Sequence, residues 1–224
     1  MAEEEREFQG RQTAIKVWIA DVLGGNYIKQ EGWSPNYIEL GGKQVSRVNV
    51  LATVVSKFMS EDGNYGVITL DDGTETIRVK GFGPDVIKLR DAKIGAIVQF
   101  IGKIKEYNEE RYFAPEIVRE VEDPNWIVVR KLELGKPKSP TATQTKTITV
   151  DEKKAEEEIK KEVENMSKTV FEMIRKLDSG NGADLKQLIK TTELDEEEVK
   201  NIVVGLLKSG DIFEPRKGFL KILE

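Results

Sequence analysis

The chain has 224 residues, 38% of them hydrophobic and 33% charged, with a formal net charge of −5. That length holds one large domain or two small ones, and no apolar run approaches the ~20 residues needed to span a bilayer. Neither cysteine nor histidine occurs anywhere in the chain, which excludes disulfides, Cys/His zinc sites, Ser-His and Cys-His nucleophiles and histidine general bases.

The acidic start, MAEEEREFQ, differs from the basic, apolar pattern of secretory and transit peptides, so a cytoplasmic protein is expected. Abundant Lys and Glu without cysteine also suits a thermophilic source. Residues 1–43 form an arm too short for a core of its own, expected to pack on the β-rich segment C-terminal to it. Within it AIKVWIADVL (14–23) fits either a strand or a short helix, and NYIKQEGWSPNYIELGG reads as an irregular hairpin.

QVSRVNVLATVVSKFMS (44–60) is β-branched, partly alternating and long for one strand, as in a strand that bends round a curved sheet. NYGVITL and TETIRVKGF supply the next two strands, with Asp72-Gly73 between them as a two-residue hairpin turn. Pairing Asp71 with Thr74 sets Ile68 opposite Ile77 and Gly66 opposite Val79 on one face, with Tyr65, Val67, Arg78 and Lys80 on the other. Residues 84–90 read as a short helix opened by Pro84, and GAIVQFIGKIKEYN and ERYFAPEIVREV as two strands joined at Asn108-Glu109. Three strands, a helix and two strands over 44–122 is the order of a five-stranded oligonucleotide/oligosaccharide-binding (OB) barrel, whose usual binding surface lies on strands 2 and 3 and neighbouring loops.

PNWIVVRKLEL comes next, a helix over 123–134 whose stripe is Trp126, Val129 or Arg130, and Leu132 or Leu134. It either packs back on the barrel or docks against helices of other chains. A linker with a charged helix occupies 135–165, opening with the Pro/Ser/Thr/Lys-rich GKPKSPTATQTKT; only the segment 123–150 is net positive, with 5 basic and 2 acidic groups. From 166 to 224 three short helical patterns precede DIFEPRKGFLKIL, which alternates on either side of a turn at Pro215 to Gly218. Asp184 is placed to cap the second helix, Asp195 the third with Glu198 reaching back, and Gly210 to end it. Three helices and a hairpin make a winged helix-turn-helix. The fold class is therefore mainly β plus α: an OB barrel, a helix, a linker and a winged helix.

Enzyme signals are weak. The acid pairs Asp71-Asp72 and Glu61-Asp62 sit at turns, where acids are ordinary surface residues. GFGP (81–84) and Gly41-Gly42-Lys43 lack the context of a phosphate loop, and no window has calcium-loop spacing. No catalytic residue, metal or cofactor is expected. A binding signal is better formed. Arg78, Lys80 and Phe82 share one side of the third strand, and Lys103, Lys105 and Tyr107 one side of the fourth, each basic, basic, aromatic; Tyr65 and Arg111 extend the surface. Cations that track phosphates beside rings that stack bases are what single-strand binding needs. The competing reading has Phe82 and Tyr107 closing the barrel ends, with Glu106, Glu109 and Glu110 offsetting the cations. In the winged helix, the end of the third helix that would read duplex DNA is Asp195, Glu196, Glu197, Glu198; those acids repel phosphates, favouring a protein partner, and also suit a helix N-terminus.

The barrel segments RVNVLATVVSK, DDGTETIRVKGFGP and IGKIKEYNEERYFAPEIV, the Trp126 helix, the linker and the terminal GDIFEPRKGFLKIL together resemble the middle subunit of replication protein A, most closely its archaeal form, over about residues 8–224. The resemblance implies a nucleoid-associated, non-enzymatic subunit of a heterotrimer that binds single-stranded DNA without sequence preference in replication, recombination and repair. It implies base stacking at Phe82 and Tyr107, a trimer helix carrying Trp126, Val129, Arg130 and Leu132 as the interface with two other subunits, and a winged helix that recruits proteins such as polymerase or primase. The serine-rich tail of the eukaryotic form is missing here. The rival reading is a transcription regulator that binds duplex DNA through the winged helix; a metal-dependent nuclease has poor support.

Overall fold

The computed structural model describes residues 12–30, 35–107, 109–138, 152–178, 180–192, 194 and 196–223. The N-terminal arm is both strand and helix: β1 (Ile15–Lys16), α1 (Ile19–Gly24), then β2 (Asn26–Ile28), β3 (Tyr37–Leu40) and β4 (Lys43–Val45) in a small antiparallel sheet of order β2-β3-β4. Next come β5 (Arg47–Met59), β6 (Tyr65–Asp71), β7 (Thr76–Phe82), a 3₁₀ turn at Gly83–Asp85, α2 (Val86–Arg90), β8 (Ile97–Tyr107) and β9 (Glu110–Glu120). Their order is β1-β5-β6-β7-β9-β8, and β8 also pairs with β5, so β5 to β9 close into a ring.

The length of β5 is what permits closure. Its first half, Arg47 to Thr53, pairs with β8, and its second half, Thr53 to Met59, pairs with β6. A register shift between Val54 and Ser56 bends it between the two partners. Alternation sends Val48, Val50, Ala52 and Val54 inward, where they meet Ile68, Leu70, Val79, Val98, Ile104 and the stacked pair Phe100 and Phe113, whose centroids are 5.0 Å apart. Each Val, Leu, Ile or Phe side chain so buried contributes about 1.5–3 kcal/mol. β8 and β9 change register at Ile101/Gly102, where a Cβ on Gly102 would lie 2.2 Å from the Ala114 carbonyl oxygen. Only glycine fits there.

The turn between β6 and β7 differs from the sequence expectation. Asp71 pairs with Thr76, Ile68 with Val79, Gly66 with Gly81 and Tyr65 with Phe82, a register two residues longer than a tight Asp72-Gly73 hairpin gives. The cause is Asp72. Its Oδ1 accepts from the Thr74 backbone N–H and hydroxyl, at 2.9 and 2.6 Å, and its Oδ2 from the Ile19 N–H at 2.7 Å. A side chain that closes the turn and holds α1 has replaced the two-residue loop, with Gly73 alone supplying positive φ, at 83°. A shift of two preserves parity, so the faces are unchanged.

α3 (Asn125–Leu134) begins after Pro124 and lies on β5. After it come α4 (Glu152–Leu177), β10 (Ala183–Asp184), α5 (Leu185–Thr191), α6 (Glu196–Ser209), β11 (Ile212–Arg216) and β12 (Phe219–Ile222), with a small sheet of order β10-β12-β11. α4 continues unbroken across residues 165 and 166, where the sequence suggested a boundary. Most of the linker and Asp195 lie outside the described residues. The Asp184 carboxylate caps α5 by accepting the Lys186 N–H at 2.7 Å, and Gly210, at φ 81°, stands just past the end of α6. The molecule is a mixed α and β protein with a β-rich centre, and among the described residues no helix is long and apolar enough to cross a membrane.

Candidate functional site

The outer faces of β6, β7, β9 and β8 carry the residues singled out from the sequence, and strand order decides which of them meet. β7 and β8 do not adjoin: β9 runs between them, pairing parallel with β7 at Val79 and Phe113 and antiparallel with β8. The two basic-aromatic stripes are therefore separated by Glu110 and Tyr112 of β9. Lys105 lies across from Tyr112 and Tyr107 across from Glu110.

Glu110 answers the cations of β7. Its carboxylate is 3.4 Å from the Arg78 guanidinium and 3.1 Å from Lys80 Nζ. The Lys80 side chain is fully buried, and its ammonium also stands 4.7 Å from the centroid of the Tyr112 ring. An ammonium taken out of water requires such compensation, and here a carboxylate and a π face provide it. Tyr65 and Phe82 are cross-strand partners with rings 4.8 Å apart, and both are buried. Lys105 is buried, whereas Arg78, Lys103 and Tyr107 are half-buried. Lys103 lines a notch with Asp85, Lys88, Glu116, Lys200 and Asn201, at the seam between the ring and α6.

Arg111 does not join this face. It sits on the other side of β9 from Tyr112, and its Nη1 donates to the carbonyls of Val22, Leu23 and Gly25 at 2.9, 2.6 and 2.6 Å. Arg111 thus gathers the carbonyls that α1 leaves open at its C-terminal end. Asp62, one of the acid pair at the turn before β6, is likewise used locally: partial burial raises its pKa, but bonds from Ser60 and Asn64 outweigh that and hold it below the usual carboxylate range.

What covers the face is the C-terminal module. Tyr65, Val67 and Phe82 share one apolar cluster with Met166, Val170, Ile174, Leu188, Val199, Ile202 and Val203. Phe58 and Tyr107 pack against the same cluster. The Tyr112 hydroxyl donates to the buried Glu198 carboxylate, and Asn201 Nδ2 donates to Asp85 Oδ2 at 3.0 Å. A Cβ on Gly83 would lie 3.0 Å from the Asn201 carbonyl oxygen. Burial first, and then the charge of Glu198, push the Tyr112 hydroxyl well above its ordinary value; burial raises that of Tyr27 to about 12. Both phenols therefore keep their protons at neutral pH.

Motif reading did not select Tyr112, and it gave Glu198 another task, reaching back to cap its own helix, whereas the structure sets it against Tyr112. Tyr112 was accessible from the hairpin itself, since a turn at 108–109 sets residue 112 opposite 105. Glu198 was not, because its partner lies 86 residues away in the chain.

The proposed assembly residues divide between two faces of α3. Trp126, Val129 and Leu132 are 56%, 38% and 81% exposed, with Val128 also exposed. Arg130 is turned the other way. It is buried and donates to the Asn49 carbonyl at 2.8 Å and to Asn49 Oδ1 at 3.1 Å, fastening the helix to β5.

No family model matches the chain. It is 26% identical, over 95% of its own length and 88% of the relative, to an uncharacterised protein of Methanocaldococcus jannaschii. Among solved structures it is similar to a chain of a replication protein A heterotrimer bound to single-stranded DNA, with a TM-score of 0.46 and 19% identity over 55% of this chain and 93% of that one. It is similar to the same degree, TM-score 0.46 with 16% identity over 55% and 89%, to a chain of the Schizosaccharomyces pombe Stn1-Ten1 complex. The second OB-fold domain of replication protein A from Methanococcus maripaludis matches with a TM-score of 0.28 and 21% identity, over 35% of this chain and 86% of that domain.

Proposed function

We propose that this chain is a non-enzymatic subunit of a replication protein A type heterotrimer that binds single-stranded DNA without sequence preference in replication, recombination and repair. In this reading β5 to β9 are an OB barrel, α3 is the helix that meets two other subunits, and α4 to β12 are a winged helix-turn-helix that recruits proteins such as polymerase or primase. The observation that carries it is the chemistry of the two sides of the ring. The inner side is aliphatic and phenylalanine, whereas the outer side of four neighbouring strands gathers Tyr65, Phe82, Tyr107 and Tyr112 with Arg78, Lys80, Lys103 and Lys105. Rings stack bases at about 1–3 kcal/mol each whatever the sequence, and cations follow the phosphates.

The exposed apolar stripe of α3 supports assembly with other chains, because a helix seated by Arg130 keeps Trp126 and Leu132 in water only while alone. Duplex reading through α6 is disfavoured: its first turn carries Glu196, Glu197 and Glu198, and Glu198 is buried against the ring.

The test is a fluorescence anisotropy titration of the assembled complex with oligo-dT and with duplex at one salt concentration. Single strand should bind more tightly than duplex, and Phe82→Ala combined with Tyr107→Ala should weaken oligo-dT binding about tenfold or more. Unchanged affinity would reject the assigned face, and tighter duplex binding would reject the reading itself.

A further inference from the structure

The centre of the face just assigned to single-stranded DNA is buried, and what covers it has chemistry of its own. α6 presents to the ring a carboxylate, an amide and a gap. Glu198 accepts the Tyr112 hydroxyl; Asn201 reaches Asp85 and lies over Gly83; and at Gly205 an added Cβ would stand 3.7 Å from the Cβ of Asn64, the residue before β6. Around these, Tyr65, Val67 and Phe82 are buried in the same cluster as Val199, Ile202 and Val203. The Glu198 carboxyl and a set of apolar side chains therefore occupy the Tyr112 hydroxyl and the rings of Tyr65 and Phe82 that a phosphate and its bases would use.

We propose that the C-terminal module is a reversible cover on this face, with α6 and single-stranded DNA competing for Tyr65, Phe82 and Tyr112. This rests on the single-strand reading above. The Glu198 carboxylate stands in for a backbone phosphate, and the apolar side chains around it stand in for stacked bases. Two features make the cover removable. The module retains a core of its own when lifted, since Met166, Val170, Ile174, Ala183, Leu188, Ile212 and Leu220 belong to α4, α5 and the small sheet. Beyond Lys138, whose N–H is held by Asp21, the 13 residues before α4 would reach as far as about 45 Å if extended, so release does not require the chain to part from the ring. The apparent affinity for DNA is then the intrinsic affinity multiplied by the fraction of molecules that are uncovered.

The chain has no cysteine, so a pair of introduced cysteines can react only with each other within a molecule. Asn64→Cys with Gly205→Cys places two Cβ atoms within disulfide range. In the full chain, the oxidised form should bind oligo-dT about tenfold more weakly than the same protein after reduction. In the unsubstituted chain, adding oligo-dT should speed amide hydrogen exchange in α6. Equal, measurable affinity of the oxidised and reduced forms overturns the cover and leaves single-strand binding standing, as does slower exchange in α6 with oligo-dT. Failure of the disulfide to form under mild oxidation overturns the cover as well. Absence of oligo-dT binding in the oxidised, reduced and unsubstituted proteins alike overturns the single-strand reading and the cover together.

Discussion

Two segments lie against the ring, one from each end of the chain, and they are held by different means. The N-terminal arm is fixed by polar bonds to backbone: Asp72 and Thr74 accept the Ile19 and Ala20 N–H groups, Arg111 gathers three carbonyls, and Trp18 Nε1 donates to the Gly135 carbonyl at 3.0 Å. Its apolar residues Val17, Ile19, Val22, Ile38 and Val45 join the interior cluster of the ring. The C-terminal module joins a second cluster, on the outer face, and its polar links to the ring are made by side chains, Tyr112 to Glu198 and Asn201 to Asp85. The arm shares the ring's core and so belongs to its folding unit; the module brings its own core and is docked.

The largest effect that separates these modes is expected at Arg111. Arg111→Ala leaves the carbonyls of Val22, Leu23 and Gly25 without this partner in a half-buried setting, and should lower the stability of the whole chain by about 3 kcal/mol in urea unfolding. A loss below about 1 kcal/mol would mean that the arm, too, is only docked.

A smaller effect belongs to the docked side. Tyr112→Phe removes the bond to Glu198 and should cost about 1–2 kcal/mol. The alkaline limb carries the sharper signature. In the unfolded chain the phenol titrates near 10, whereas in the folded protein its value is raised well above that by burial. Below about pH 10 both states hold the proton and stability does not depend on this group. As pH rises past 10 the unfolded chain loses a proton that the folded one keeps, so stability falls, by up to about 1.4 kcal/mol per pH unit for one such group. Tyr27, raised to about 12, adds to the same fall. Urea midpoints on either side of about pH 10 should thus drop less steeply in the Phe variant than in the parent. An identical slope would show that Tyr112 is not held under the module in solution.

This difference between the two segments also marks what the sequence could express. Strand parity was legible, because alternation is local: Arg78, Lys80 and Phe82 do fall on the outer side of β7, and Lys103, Lys105 and Tyr107 on the outer side of β8. The helix cap at Asp184 and the stop at Gly210 were legible for the same reason. The register of β6 and β7 was not, since the Asp72 carboxylate that closes the turn also accepts from Ile19, 53 residues earlier. Nor was the insertion of β9 between the two basic stripes, which rests on one parallel pairing, Val79 with Phe113. Arg111 reads as a free cation in a basic-aromatic strand, and only the fold shows that α1 claims it. The cover over the face is the least local feature of all: it joins Tyr65 and Phe82 to side chains more than 80 positions away.

The smallest effect on stability, and the one that sharpens the comparison from outside, is expected on α3. This helix resembles the arm on one side, where Arg130 is buried and bonded to Asn49, and on the other carries Leu132 with its side chain 81% exposed. Leu132→Lys should therefore leave the urea midpoint of the isolated chain within about 0.5 kcal/mol of the parent, because an exposed helical leucine loses little on substitution. The same change puts a charge into the stripe formed with Trp126 and Val129, and should abolish co-purification of partner subunits from native extract. Arg111→Ala has the opposite profile, losing stability while the stripe stays intact. Should Leu132→Lys destabilise the isolated chain by as much as Arg111→Ala, the outer side of α3 would be part of the fold of this chain and not a surface kept for others.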